Sequence, residues 1–299
     1  MHPALDPAHD KDATSGMKPF LKWAGNKYQI VETIRRHLPR GGRLIEPFAG
    51  SGAVFLNLAY PAYYLSDANP DLISLFRHVQ TGGEAFIDDC RAYFVPETNR
   101  PEVYYALRER FNTTADAREK AALFLYLNRH GYNGLCRYNQ SGGFNVPFGR
   151  YKKPYFPARE MRYFRERTQT AAFVAGSYLA AMAQARPGDV VYCDPPYVPL
   201  SATANFTSYN AERFTEADQQ ALATAARRLA GRGVPVLISN HDVAFTRDAY
   251  AGARIVSFDV QRTISCQGQK RGKARELLAL FLPRDGRAER PALSHATPL

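Results

Sequence analysis

Two hydrophobic rhythms alternate along the first third of this 299-residue chain. Ile30, Ile34 and Leu38 recur at helical spacing until Pro39 and Gly41-Gly42 end the run. A short apolar strand follows at Arg43–Ile45, then a glycine loop at Ala49–Gly52 and an apolar helix to Asn57. Tyr63–Leu65 predicts a second strand ending in Ser66-Asp67, and 71–79 a second full helix before the Gly82-Gly83 break. The rhythm then stops. Residues 84–127 look helical, interrupted by Pro96 and Pro101. Strand-like runs resume at 171–177 and 189–193, with a helix at 178–185 between them. An amphipathic helix at 216–232 and a buried strand at 235–239 complete the sheet-forming half. Strands alternating with helices predict an α/β, Rossmann-like sheet, interrupted by an insert between 83 and 159. Residues 17–82 and 160–283 form its two parts, and polar, Pro-containing tails at 1–16 and 284–299 are expected to be disordered.

Charge changes the picture most inside the insert. The chain carries a formal net charge of +11, which favours a polyanionic partner. From Lys120 to Arg159 there is no acidic residue, while seven are basic and nine are Phe or Tyr. Such a window in a chain holding 28 acids points to nucleic acid rather than to an ordinary solvated loop. Gln140-Ser141-Gly142-Gly143, between 135–139 and 144–148, is a hairpin turn signal. Lysines can hold phosphates there, Arg and Asn can read base edges, and an aromatic can wedge into the stack. A second acid-poor stretch, Arg262 to Arg275, is expected to contact phosphate.

Other classes recede. No apolar run reaches the ~18 residues of a membrane span, and the first sixteen residues lack a signal-peptide core, so a cytoplasmic protein is expected. Cys90, Cys136, Cys193 and Cys266 lie far apart without a C-x-x-C, indicating reduced thiols and no metal site.

The candidate chemistry lies at two predicted strand tips. Gly50 and Gly52 let the backbone approach a ligand closely, although no G-x-G-x-x-G is present. Asp67, at the second strand tip, can bind the two hydroxyls of a ribose. A ribose without an essential pyrophosphate site fits S-adenosylmethionine better than NAD. At the later tip stands Asp194-Pro195-Pro196-Tyr197. A carboxylate, a rigidly held proline carbonyl and an aromatic face suit the exocyclic amine of a flat heterocycle such as a nucleobase. Read alone, the tetrapeptide is equally a strand-ending turn. The polar run Val198–Phe214, with Thr203, Asn205 and Tyr209, could close over a base. His241, in Asn240-His241-Asp242, is read as structural or site-lining rather than as a general base.

The order and content of these stretches resemble the Dam DNA adenine-N6 methyltransferases, over nearly all the chain from Pro19 to Pro283. The resemblance rests on Phe20–Lys27, Glu46–Asn57, Phe124–Phe156, Asp194–Phe206 and Leu237–Asp242. It implies an S-adenosylmethionine-dependent methyltransferase sheet, with 83–159 as a helical and β-hairpin target-recognition domain. It further implies transfer of a methyl group to N6 of adenine in GATC duplexes by base flipping. Carried over by position, Trp23, Lys27, Asp67 and Asp194 contact the cofactor, with Phe48, Gly50 and Gly52 beside them; Tyr178 joins this set. Lys22 contacts the first base pair, Leu135 and Pro147 the thymine methyl of the third, and Arg137 and Tyr151 the fourth. Tyr132 enters the stack beside Asn133, and Arg108, Arg129 and Asn139 complete the expected DNA surface. Asn26 stands where the family commonly has glycine, a tolerable change if the position needs positive φ. The expected partner is double-stranded DNA, with no membrane, no metal and an enzyme that is monomeric or transiently associated on DNA. Competing readings are a catalytically silent DNA binder, and an enzyme acting on cytosine N4, an RNA adenine or a glutamine side chain.

Overall fold

The computed structural model describes residues 16–198, 214–261 and 273–283. The two expected tails, apart from Gly16, therefore lie outside the described residues, as do most of the Val198–Phe214 run, residues 262–272 of the later basic stretch, and Cys266.

In chain order the elements are α1 (Val31–His37), β1 (Arg43–Glu46), α2 (Ala53–Asn57), β2 (Ala62–Asp67), α3 (Pro70–Thr81), α4 (Gly83–Arg91), α5 (Pro101–Thr113) and α6 (Ala117–His130). They continue with α7 (Ala158–Arg167), β3 (Ala171–Ala175), α8 (Tyr178–Ala183), β4 (Asp189–Cys193), α9 (Glu216–Gly231), β5 (Val236–His241), α10 (Ala244–Ala249), β6 (Arg254–Gln261) and β7 (Lys273–Phe281). The strands form one seven-stranded sheet in the order β3-β2-β1-β4-β5-β7-β6. β3 to β5 across that order are parallel, and β7 runs antiparallel to both β5 and β6. The expected α/β, Rossmann-like sheet is present.

The central strands β1, β4 and β5 are buried on both faces because their middle positions carry apolar side chains in succession. Leu44, Val190, Tyr192 and Leu237 point into one apolar cluster, while Ile45, Val191, Cys193 and Ile238 point into the other. That split follows the two-residue alternation of a strand. On the first face Phe20, Phe55, Phe76, Phe164 and Phe173 meet edge-on or tilted, apart from Phe164 and Phe173, which stack. The same cluster continues into α4, α5 and α6, so the helices of the insert share a core with the sheet.

Helix starts are specified locally. Asn69 accepts from the N–H groups of Asp71 and Leu72 at the head of α3, and Asp116 does the same for Arg118 and Glu119 at α6. Thr215 and Asp218 form a reciprocal capping box on α9.

Three expectations need correction. The residues around Gln140–Gly143 form no strands: one bridge joins Tyr138 to Phe144 and another Gly131 to Phe148. The turn holds because Asn139 Oδ1 accepts from the Gly143 N–H, 2.8 Å away. Asn240 and His241 lie within β5 rather than beyond it. Arg275 belongs to β7, and its side chain pairs with Asp242 at 3.0 Å instead of standing in a loop.

Candidate active site and DNA interface

A cavity of about 900 Å³ opens at the carboxyl ends of β1, β2 and β4. Such strand tips are where ligands bind in open α/β sheets. The glycine loop after β1, Asp67 at the end of β2 and the Asp194–Tyr197 loop after β4 all line it.

Gly50 has φ +48°, and a Cβ there would lie 2.9 Å from the Trp23 indole nitrogen, so only glycine fits. Its N–H donates to Asp67 Oδ2 at 3.0 Å, and the Asn69 N–H donates to Oδ1 at 2.9 Å. The two amides fix the carboxylate plane while each oxygen keeps acceptor capacity. Burial still raises the Asp67 carboxyl above its ordinary range, partly offset by those two bonds. Gly52 sits at φ +73° immediately before α2. On the far wall Phe48 stacks on Tyr178, ring centroids 5.2 Å apart, and Phe214 meets both rings edge-on.

Asp194 is held from two sides. Lys27 Nζ lies 2.8 Å from Oδ1, and the Ser239 hydroxyl donates to the same oxygen at 2.8 Å. Both bonds fall on Oδ1, leaving Oδ2 without a bond among the described residues. Burial raises the Asp194 carboxyl, and Lys27 and Ser239 oppose that shift. Lys27 also donates to the Gly25 carbonyl at 2.6 Å and stands 4.4 Å from the centre of the Tyr197 ring. The Tyr197 hydroxyl donates to Glu276 at 3.2 Å. His241 presents its ring edge to Tyr197, and its Nδ1 lies 2.7 Å from the Val198 carbonyl. His241 is not among the residues that line the cavity; its ring meets Tyr197 and Val198, as the structural reading has it.

Glu46 was not among the sequence candidates. It ends β1, is 2% exposed, and lines the cavity. Burial pushes its carboxyl well above the usual range, Asp194 adds to this, and the Phe55 amide opposes it. Its Oε1 has no hydrogen-bond partner among the described residues, and neither does the buried Ser51 hydroxyl on the same wall. A glutamate before Pro47 at a strand end was visible in the sequence, but its isolation depends on the fold.

The DNA-side candidates gather around residues 131–151. Lys22, more than a hundred residues earlier, joins them because Asn128 bonds both its N–H (2.9 Å) and its carbonyl (2.7 Å). Lys22 Nζ lies 3.7 Å above the Tyr151 ring, and the Tyr151 hydroxyl accepts from the Asn133 N–H. Gly134, at φ +62°, is required by contact, since a Cβ would come within 2.3 Å of Lys22 Cβ. Asn133 is itself left-handed at φ 54°. Arg137 donates twice to Asn145, to Oδ1 at 2.7 Å and to the carbonyl at 3.1 Å. Arg108 donates to the Val146 carbonyl, and Arg129 to the Tyr155 carbonyl. Tyr132, Asn133, Asn139 and Pro147 are exposed. Leu135 lines the cavity as well, at the junction of the two regions. Asn26 does not have positive φ; the left-handed residue is Gly25 at φ +73°. Asn26 instead accepts from the Tyr28 N–H, capping a short turn.

Among the described residues no cluster of His, Cys, Asp or Glu could hold a metal, and no helix is long and apolar enough to cross a membrane. Cys90, Cys136 and Cys193 are free thiols.

A glycine loop, a buried carboxylate and an Asp-Pro-Pro-Tyr loop share one cavity at the strand tips of an α/β sheet, the place where proteins of this class bind their ligands. Residues 23–264 match the model of the D12 class N6 adenine-specific DNA methyltransferases, and the chain belongs to that family. It is 54% identical over 266 residues to the DNA adenine methylase of Escherichia coli (strain K12), covering 89% of this chain and 96% of that protein. It is 53% identical over 267 residues to the DNA adenine methylase of Vibrio cholerae, at the same coverages. With the DNA adenine methylase of Serratia marcescens it shares 55% over 265 residues, 88% of this chain and 98% of that one. The protein is an adenine-specific DNA methyltransferase.

Proposed function

We propose that this enzyme takes its methyl group from S-adenosylmethionine and transfers it to N6 of the adenine in double-stranded GATC, acting in the cytoplasm as a monomer. The observation that carries the reading is the shared cavity: the Asp194–Tyr197 loop and the Gly50–Asp67 pair open on the same space, with Leu135 of the 131–151 segment at its rim.

The residues fit the cofactor. Asp67 offers acceptors to ribose hydroxyls, the Phe48–Tyr178 wall offers aromatic surface to a purine, and Gly50 admits close approach under Trp23. The two orphaned polar atoms, Glu46 Oε1 and Ser51 Oγ, suit an amino-acid head group carrying an ammonium. When bound, S-adenosylmethionine supplies a methyl group on a cationic sulfur.

The chain does the rest. A target amine cannot reach the cavity from inside a duplex, so the adenine is flipped out, with Tyr132 entering the stack beside Asn133. The flipped base stacks on Tyr197. Its N6 donates to Asp194 Oδ2 and to the Pro195 carbonyl, whose direction is fixed by two successive proline rings, the second being Pro196. Those bonds raise electron density on nitrogen and aim its lone pair. Lys27 opposes the effect of burial on the Asp194 carboxyl and holds it in place. Orientation and a preorganised field account for most of the rate enhancement. Residues 83–159 act as the target-recognition unit, with Lys22 reaching it from the catalytic part. Leu135 and Pro147 meet the thymine methyl, Arg137 and Tyr151 read the last pair, and Arg108, Arg129 and Asn139 contact the backbone.

Transfer of labelled methyl into two short duplexes tests this. One holds a single GATC, and the other has its cytosine replaced. Labelling of the first alone is expected; equal labelling would remove the GATC assignment.

A further inference from the structure

Three consecutive residues of β5 reach the Asp194–Tyr197 loop, each at a different point. Ser239 donates to Asp194, Asn240 Oδ1 accepts from the Val198 N–H at 3.3 Å, and His241 Nδ1 lies 2.7 Å from the Val198 carbonyl. Alternation along the strand puts Ser239 and His241 on one face of the sheet and Asn240 on the other. On that other face Asn240 is fully buried and meets Gln219 of α9, which is 1% exposed. Gln219 Nε2 donates 2.8 Å to the Pro196 carbonyl. The peptide groups before and after Tyr197 are therefore gripped by one buried amide pair.

The pair has a single workable hydrogen-bond arrangement. Asn240 Nδ2 donates to Gln219 Oε1 at 3.1 Å and to the Tyr250 hydroxyl at 2.9 Å. Tyr250 donates in turn to Gln219 Oε1 at 2.8 Å. Turning the Gln219 amide over would set its N–H₂ against donors on one side and its oxygen against the Pro196 carbonyl on the other. Turning Asn240 over would strand the amides of Val198 and His241. Buried polar networks are costly unless every member is satisfied, and a satisfied one selects a unique geometry.

We propose that Gln219 and Asn240 are positioning residues for the reaction: they fix the backbone on both sides of Tyr197 and so set the plane of the ring on which the flipped adenine stacks. The inference rests on the proposed stacking of the base on Tyr197. Without the grip the Tyr197 side chain keeps its contacts to Lys27 over the ring face, to the His241 ring and, through its hydroxyl, to Glu276, and these act on the side chain rather than on the peptide groups that aim it.

The test uses Gln219→Met, which keeps volume and loses the bond to Pro196. Single-turnover methyl transfer is measured with cofactor and GATC duplex saturating. In parallel, 2-aminopurine at the target position reports whether the flipped base is stacked, through its emission. The expected result is a rate about tenfold or more lower, a cofactor Kd within about threefold of the parent, and brighter 2-aminopurine. Tyr250→Phe, which touches no residue of the loop, should lose distinctly less rate. A folded Gln219→Met with parental rate or parental emission overturns the proposal, as does an equal loss in both variants that merely tracks Tm. Should Gln219→Met fail to fold, Asn240→Leu probes the same grip from β5: it keeps the volume but drops the bond from the Val198 N–H, and parental emission there overturns the proposal too. Tyr197→Ala run alongside separates the premises. Parental emission in that variant removes the stacking reading itself, whereas a dim-to-bright change in it alone removes only the role of Gln219 and Asn240.

Discussion

Around Asp194, polar side chains are buried and bonded to one another: Lys27 to Asp194, Ser239 to Asp194, Gln219 to Asn240. Along residues 131–151, Tyr132, Asn133, Asn139 and Pro147 face outward. There the main chain is shaped by scattered bonds such as Tyr132 N–H to the Pro147 carbonyl and Gly149 N–H to the His130 carbonyl. The cavity thus has its geometry set by the sheet before any ligand arrives. The proposed reader segment has its path set by the main chain and leaves these side chains exposed. Arg137 is the intermediate case, because Asn145 holds two of its donors and so aims the guanidinium. A reaction that needs fixed alignment and a recognition surface that must accept a duplex call for this difference.

The sharpest way to break the comparison is Asp194→Ala. It removes the acceptor for N6 and leaves Lys27 buried with the Gly25 carbonyl as its partner. Turnover should fall by about three orders of magnitude or more, while GATC duplex affinity stays within about threefold. Single-turnover transfer and fluorescence anisotropy measure the two sides. Turnover within tenfold of the parent would mean that alignment does not depend on this carboxylate. Arg137→Ala acts from the other side and should be weaker. A bidentate base contact is worth about 1–3 kcal/mol of discrimination, so preference for GATC over the duplex with altered cytosine should drop about tenfold to a hundredfold. The chemical step on GATC itself should change far less. If kcat falls while preference survives, Arg137 serves the cavity rather than the readout.

How much of this was readable beforehand divides along the same line. The glycine loop, Asp67 and Asp194–Tyr197 announce themselves because each needs particular residue types within a few positions. What joins them does not. Ser239 meets Asp194 because β4 and β5 pair in parallel with Cys193 opposite Ile238, bringing the next residue of each strand level. No local spacing encodes that register. Glu46 was hidden for a related reason: a strand-end glutamate is unremarkable until the fold buries it beside Asp194. The reader segment failed differently. The turn signal at Gln140–Gly143 predicted a hairpin, yet Phe144 and Val146 serve the core shared with the insert's helices while Asn139 caps the turn, so pairing shrinks to isolated bridges. Lys22 was recognisable as a reader only by resemblance, because Asn128 delivers it across 106 positions.

Lys22 also gives the smallest and most specific effect, since it belongs to both regions. Its ammonium rests on the Tyr151 ring and donates to the Arg129 carbonyl at 3.3 Å. Partial burial, with Arg129 adding to it, lowers its pKa to about 8. Below pH 8 the free enzyme already carries the proton, and duplex affinity should be level with pH as far as this group is concerned. Bound DNA favours the charged form and raises the pKa, so above pH 8 binding must take up a proton. The Kd should then climb by at most about tenfold per pH unit, with the rise beginning near pH 8. Lys22→Arg keeps its charge throughout and should flatten the profile without restoring full GATC preference, because a guanidinium cannot occupy the ammonium's place over Tyr151 in the same way. Titration of Kd against pH for both proteins at constant ionic strength separates the cases. An identical rise in the two would assign the proton to another group and leave Lys22 charged across the range.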